Sequence, residues 1–494
     1  MLSRKHHRTR IPPPTSIPCL FRLARRKHSV LKNNTKDLTV GPISRHVWSL
    51  TLPASIGLFF QTMYNVIDTY YAGLVSETAL AAVGLSFPVF LLVIGLSSGL
   101  SRGAGGLLSN AIGAKALDDQ RRYISQALSL GIALSAVLTV VGLLIANPIF
   151  RSLGAEGEFL KLAEAYIFPI FCGTLFFIVS GVSNAILTSS GDTRTFGSVL
   201  VVGFFLNLIF DPWFMHGGFG LPAMGVAGIA WSTALIQLLG SIYLFLVVVR
   251  RGLFEFKSLT SFTPDLKTWR EIAGQALPAT FNIASIAIGF FAINWFLERY
   301  GVAAIAAYTA TTRIEQIALM PTFGLYAAIM ALVGQNNGAG NIARIRETMR
   351  YCIATGVAVN FVMAGLMFWF SPELMDLFTD DPEVIDLGVR CLNVIAPIHW
   401  SYILTAACMA MLQAVKRPTY GFFESITRKI ILPLPILWLL VVRWDKPIDW
   451  IWYCNASIQI VMTAVTGYYA WRVLNGLKSK KEKSDSPITV TEAS

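Results

Sequence analysis

Apolar runs of about twenty residues recur along most of this chain, and no other feature limits its fold so strongly. Each run is long enough to cross a hydrocarbon core roughly 30 Å thick. Inside lipid a spanning segment must satisfy its own backbone N–H and C=O groups, so the runs are read as helices and not as open strands. Only 14% of the 494 residues are charged, where a soluble protein of this size carries about 25%. The expected fold class is an all-α polytopic membrane protein. Its twelve transmembrane helices are read at 46–73, 78–108, 121–146, 163–188, 195–214, 223–250, 270–298, 303–333, 346–370, 386–414, 421–443 and 449–472.

Loop charge supplies an orientation. If the chain starts inside, the cytoplasmic linkers and C-terminal tail hold 19 Lys and Arg, against five on the opposite side. The positive-inside rule then puts both termini in the cytoplasm. The net charge of +12 follows largely from this bias and the basic N-terminal tail, and calls for no nucleic-acid partner. Residues 1–36 contain ten Lys or Arg and no acid. They read as a transit peptide, an arm for anionic lipid or a disordered basic extension. No apolar segment with a cleavage site precedes the first span, so no secretory signal is expected. The polar C-terminus is expected to be disordered. Six cysteines show no metal or redox spacing and read as packing residues.

The chain repeats itself. Shifted by 225 residues, "TLPAS" at 51–55 falls on "ALPAT" at 276–280, and Pro53 meets Pro278. "SNAIGAKALDDQRR" at 109–122 falls on "GQNNGAGNIARIRE", pairing Gly113 with Gly338 and Arg121 with Arg346. Each half has six helices, so both enter the membrane from the same side as a parallel repeat. The domains expected are a basic tail at 1–41, an N-lobe at 42–250, a cytoplasmic linker at 251–269, a C-lobe at 270–474 and a disordered tail at 475–494. Two such bundles rocking about a central cavity suit alternating access.

Ionisable groups inside spans cost a few kcal/mol each and point to function. Gln61, Tyr64, Asn65 and Asp68 share one face of the first helix, and Pro53 removes a backbone hydrogen bond in the same helix. Asn207 and Asp211, in "LNLIFDPWF", stack four apart on the fifth. Two carboxylates in one low-dielectric pocket cannot both ionise cheaply, so the pair suits holding a proton or a small hard cation. Asn207 and Thr233, in "AGIAWSTALIQ", could complete the ligand set. Alternatively, Asp68 and Asp211 are residues of the membrane interface. At +225, Asp68 becomes Ile293 and Asp211 becomes Ile436, so the second half is built without the acids.

The C-terminal half has polar residues of its own. Arg313 and Glu315 are two apart, hence on different faces, and either line the cavity or pair with other spans. Glu424 and Arg428 occur in "FFESITRK". Arg102 is read as snorkelling toward the cytoplasm. Tyr64, Phe168, Phe171, Trp400 and Tyr402 are candidate aromatic walls, or simply packing. No Walker loop, His/Cys metal spacing or nucleophile elbow occurs, so an enzyme is not expected and an ion gradient is the expected energy source.

Over residues 42–475 these features together resemble the multidrug and toxic compound extrusion (MATE) transporters. The resemblance rests on "LPASIGLFFQTMYNVIDTYYAG", "ALAAVG", "NAILTSSGDTRTFG", "LNLIFDPWF", "GVAGIAWST" and "VGQNNGAGNIARIRE" in order. It is nearest to the prokaryotic DNA-damage-inducible-protein-F-like subgroup. The resemblance implies an antiporter that exports drugs or organic, often cationic, compounds in exchange for H⁺ or Na⁺. It carries a coupling site onto Asp68, Asn207, Asp211 and, least securely in register, Thr233, and a helix bend onto Pro53. Candidate cavity residues are Gln61, Tyr64, Asn65, Asn184, Arg313 and Glu315. Some relatives have a further acid in helix seven, where this chain offers only Glu271 and Glu298 at the ends. No cofactor or metal is expected beyond Na⁺ at the coupling site. The expected partners are the lipid bilayer and a small-molecule substrate, for a monomer in the inner (plasma) membrane. A flippase for lipid-linked precursors, from the related superfamily, is the alternative.

Overall fold

The structure is a computed structural model that describes residues 35–218, 220–254 and 262–477. Most of the basic tail, part of the 251–269 linker and nearly all of the C-terminal tail fall outside the described residues.

Chain order places twelve helical spans, labelled here α1 to α12. They are α1 Ile43–Val75, α2 Glu77–Gly113, α3 Leu117–Ser152, α4 Gly157–Cys172 with Thr174–Ser189, α5 Arg194–His216 and α6 Val226–Arg250. The second half contributes α7 Leu266–Leu297, α8 Val302–Ala318 with Met320–Ala339, α9 Ile342–Trp369, α10 Pro382–Ala414, α11 Thr419–Arg443 and α12 Asp449–Asn475. Eight helices are long and apolar enough to cross a bilayer, and ten if each bent pair counts as one span. The other two, α1 and α12, are diluted by polar groups such as Asp68 and Gln459 that are buried inside the bundle. Large apolar side chains, Leu144 and Phe361 among them, stay exposed on the outer surface, as a lipid-facing wall requires.

The structure departs from the sequence reading in backbone detail. α4 bends by 46° between its two segments and α8 by 44°. Pro169 lies just ahead of the first break, and Pro321 starts the second segment of α8. Each ring removes an N–H and so frees a carbonyl one turn back. α11 contains two π-helical turns, Thr427–Ile431 and Trp438–Arg443, on either side of Pro433 and Pro435. A short helix, Ser371–Asp376, follows α9.

The two halves meet through contacts built twice. A Cβ on Gly99 of α2 would overlap Thr280 of α7, and one on Gly324 of α8 would overlap Ser55 of α1. These pairs correspond under the 225-residue shift. The same holds nearer one membrane face, where Gly113 lies against the Gln335 carbonyl and Gly338 against the Asn110 carbonyl. Without Cβ atoms the backbones approach closely, the usual packing of helices in lipid. Asn110 adds polar links, donating to the Ala414 carbonyl at 2.7 Å and accepting from Asn337 at 2.6 Å.

A strap ahead of α1 crosses this same face. The Lys36 N–H donates to Ser190 O at 2.9 Å. Leu38 is fully buried among residues of α8 and α9, and its N–H donates to Gln335 Oε1 at 2.9 Å. The Gln335 amide also donates to Ser189 O at 2.8 Å, and Arg344 donates to Gly41 O at 2.6 Å. Residues 36–41 are thereby joined to both halves.

Candidate functional site

The i, i+4 spacing of Tyr64 and Asp68 sets both on the inward face of α1, and the same spacing aligns Asn207 and Asp211 on α5. α1 and α5 pack side by side, with Gly57 against Gly197, so the two polar faces meet. Thr233 and Ser232 enter from α6. All five of Asp68, Asn207, Asp211, Ser232 and Thr233 are at most 4% exposed.

The hydrogen bonds within this cluster are few. Asn207 Nδ2 donates to Asp68 Oδ1 at 2.8 Å, and Thr233 Oγ1 donates to Asp68 Oδ2 at 3.3 Å. Asp211 sits beside Ser232, Asp68 and Asn207, yet neither of its oxygens has a hydrogen bond of ordinary geometry. Asn207 Oδ1, Ser232 Oγ and the Tyr64 hydroxyl are buried without partners too. None of the ion pairs among the described residues involves either acid.

Two ionised carboxylates in such a place would repel one another and forgo most of their solvation. A proton on one acid, or a hard cation among the oxygens, relieves both penalties. The donor set is Asp, Asn and Thr oxygen, which suits a small hard cation and not a thiolate- or imidazole-seeking metal. Among the described residues no group of three or more His, Cys, Asp or Glu is placed to hold a metal ion.

Beside this cluster a cavity of about 380 Å³ lies between the two halves. Tyr64 and Thr233 line it, with Gln61, Asn65 and Asn184; Asp68 and Asp211 lie behind that wall. Arg313 and Glu315 are not among its lining residues: Arg313 is exposed and Glu315 half-buried. Glu424 and Arg428 instead pair with each other at 2.6 Å, with Gln459 accepting from Arg428 at 2.8 Å. Of the proposed aromatics, Phe168 and Trp400 are exposed, and a Cβ on Gly142 would overlap the Phe171 ring. The rings that do line the cavity include Phe90, Phe177, Phe323 and Tyr326.

Arg102 corrects the snorkelling expectation. Its guanidinium lies in the cavity wall, 4.7 Å from the centre of the Tyr326 ring across the junction of the halves. A cation over an aromatic face is stabilised without reaching water, and one helix alone gives no sign of a ring supplied by another.

The profile of the MatE family matches the chain twice, over residues 53–213 and 278–439. The chain belongs to the MatE family. Both matches of this MATE protein begin at the prolines of the internal repeat. It is 30% identical over 373 residues to the probable multidrug resistance protein NorM of Thermotoga maritima, covering 75% of this chain and 79% of that one. It is 25% identical over 400 residues to an FAD transporter of Shewanella oneidensis, covering 81% and 88%. The multidrug export protein MepA of Staphylococcus aureus is 27% identical over 360 residues, covering 72% and 77%. Among solved structures, an outward-facing multidrug resistance MATE transporter superposes with a TM-score of 0.83 at 24% identity, covering 91% of this chain and 99% of the other. A Pyrococcus furiosus transporter of the MOP superfamily gives 0.82 at 23% identity, with 91% and 98% covered. This MATE protein is thus a multi-pass membrane transporter and not an enzyme, an all-α protein of two pseudo-symmetric six-helix bundles.

Proposed function

We propose that this MATE protein is a secondary antiporter that exports small organic compounds in exchange for H⁺ or Na⁺ by alternating access. The observation that carries the reading is the pair of buried acids, Asp68 and Asp211, behind a central cavity, with neither Asp211 oxygen in a hydrogen bond of ordinary geometry. In this reading Asp68, Asn207, Asp211 and Thr233 hold the coupling ion. Tyr64 and Thr233 stand between ion and substrate, so occupancy of one site changes the wall of the other. Pro53 supplies the bend by which α1 answers ion binding. Gln61, Asn65 and Asn184 contact substrate, and the aromatic lining suits planar compounds, in keeping with relatives named for multidrug export and for FAD transport. The lobes are 42–250 and 270–474, and the protein works as a monomer in the plasma membrane with both termini cytoplasmic. The flippase alternative is disfavoured because a lipid-linked anion calls for several cations, and among the described residues Arg102 is the one charged residue lining the cavity.

The test is counterflow in proteoliposomes with a fluorescent aromatic substrate, under a pH gradient or a sodium gradient imposed separately. One gradient drives export in the wild type. Asp68→Asn removes that dependence while the protein still inserts and folds. Gradient-driven export that is unchanged in Asp68→Asn sinks the assignment.

A further inference from the structure

A second, more open cavity of about 460 Å³ lies where the strap meets the ends of α1, α4, α5 and α6. Its walls carry Lys36, Arg45, Arg194 and Arg251, with Ser49, Ser190 and Thr193 among them. The four cations come from four separate segments, so no single helix face explains their convergence.

One acid, Asp192, shares the cavity, and its oxygens are already occupied. It pairs with Arg251 at 2.6 Å and accepts from the backbone N–H and hydroxyl of Thr195. Among the described residues no carboxylate pairs with Lys36, Arg45 or Arg194. Among the described residues Lys36 Nζ donates only to the Ser49 hydroxyl, at 3.1 Å. Partial burial, with Arg45 and Arg194 nearby, pushes the Lys36 ammonium below its ordinary value. The first turn of α5 also opens here, adding the positive end of a helix.

We propose that this cavity binds a phosphate-bearing anion, which at the ends of four membrane helices is the headgroup of an anionic phospholipid. Arginine forks fit phosphate oxygens two at a time, and Lys36 and Ser49 offer further donors. A basic pocket between helix ends at one membrane face is the arrangement that retains such headgroups. Bound there, the anion joins the strap to α1, α5 and α6 and relieves the mutual repulsion of three unpaired cations. The basic tail noted in the sequence thus ends, at Lys36, in a defined site.

The experiment uses the full-length protein in detergent and follows thermal unfolding while phosphatidylglycerol, phosphatidylcholine or inorganic phosphate is titrated. Phosphatidylglycerol is expected to raise the unfolding temperature saturably by several degrees, and phosphatidylcholine is not. Arg45→Gln/Arg194→Gln weakens the apparent affinity by about tenfold or more, and Arg45→Lys/Arg194→Lys restores part of it. A saturable shift with inorganic phosphate alone supports the same site and identifies a soluble source; a shift with phosphatidylglycerol alone identifies the lipid. Native mass spectrometry of retained phosphatidylglycerol provides a readout independent of folding. No saturable shift with either anion, or an equal shift and equal lipid retention in the Gln variant, overturns the proposal.

Discussion

At the scale of single residues, the buried acids of α1 and α5 differ in how they are held. Asp68 has two donors, Asn207 at 2.8 Å and Thr233 at 3.3 Å, and Asp211 none of ordinary geometry, so Asn207 is the closer of the two groups that stabilise charge on Asp68. A hydrogen bond to a charged group contributes about 1.5–3 kcal/mol. Asn207→Ala is therefore expected to weaken the coupling ion's apparent affinity by roughly 10–100-fold, read from the ion dependence of counterflow, with little change in expression. An unchanged ion dependence would remove Asn207 from the site. The polar faces were legible because 0, 3, 4, 7 spacing on α1 and a four-residue step on α5 put these residues on one side of each helix. Thr233 was harder to align because the loop 212–224 separates its helix from α5, yet its hydroxyl donates to Asp68. Arg102 was misread because its stabilising ring, Tyr326, lies more than two hundred residues away in the chain.

At the scale of helices, the proposed bend of α1 rests on its proline. Pro53 sits inside a continuous helix and leaves the carbonyl one turn earlier without its intrahelical donor. Its own carbonyl faces Gly197 so closely that a Cβ there would overlap it. Pro53→Ala restores a backbone bond and is expected to stiffen α1. Turnover should fall by about tenfold with ion affinity within about twofold, because the step slowed is conformational. Equal losses in both would instead point to damage at the acid cluster. The spans were legible as apolar runs, least so α1 and α12, which buried polar groups dilute. Their bends were not: hydropathy averages over a window, whereas the breaks at Gly173 and Leu319 depend on one missing amide and on what packs beside it. The π turns of α11 escaped for the same reason.

At the scale of the whole molecule, the repeat and the strap act on the same junction. The repeat was visible as a 225-residue offset, and the packing of Gly99 with Thr280 and of Gly324 with Ser55 gives it a physical basis. The strap was not visible, because Leu38 and Val40 are isolated apolar residues in a polar segment and Leu38 owes its burial to α8 and α9. Truncating a buried leucine costs about 2–5 kcal/mol in the state that buries it. Leu38→Ala should therefore populate arrangements in which this face is open. Spin labels at Lys115→Cys and Lys416→Cys, one in each half, would report a broader and longer distance distribution. A distribution that matches the wild type would show that the strap is not a latch.

The placement of both acids in one half also sets a limit on pumping. If the acid pair is the coupling site, as proposed, two carboxylates with no copy at Ile293 and Ile436 take one monovalent ion, or at most two, per cycle. Moving one elementary charge through 100 mV releases about 2.3 kcal/mol. On the proposed coupling, one ion sustains roughly a fiftyfold gradient of a neutral substrate and two ions roughly the square of that. The steady-state accumulation ratio, measured against membrane voltage, therefore counts the ions that the acid pair admits.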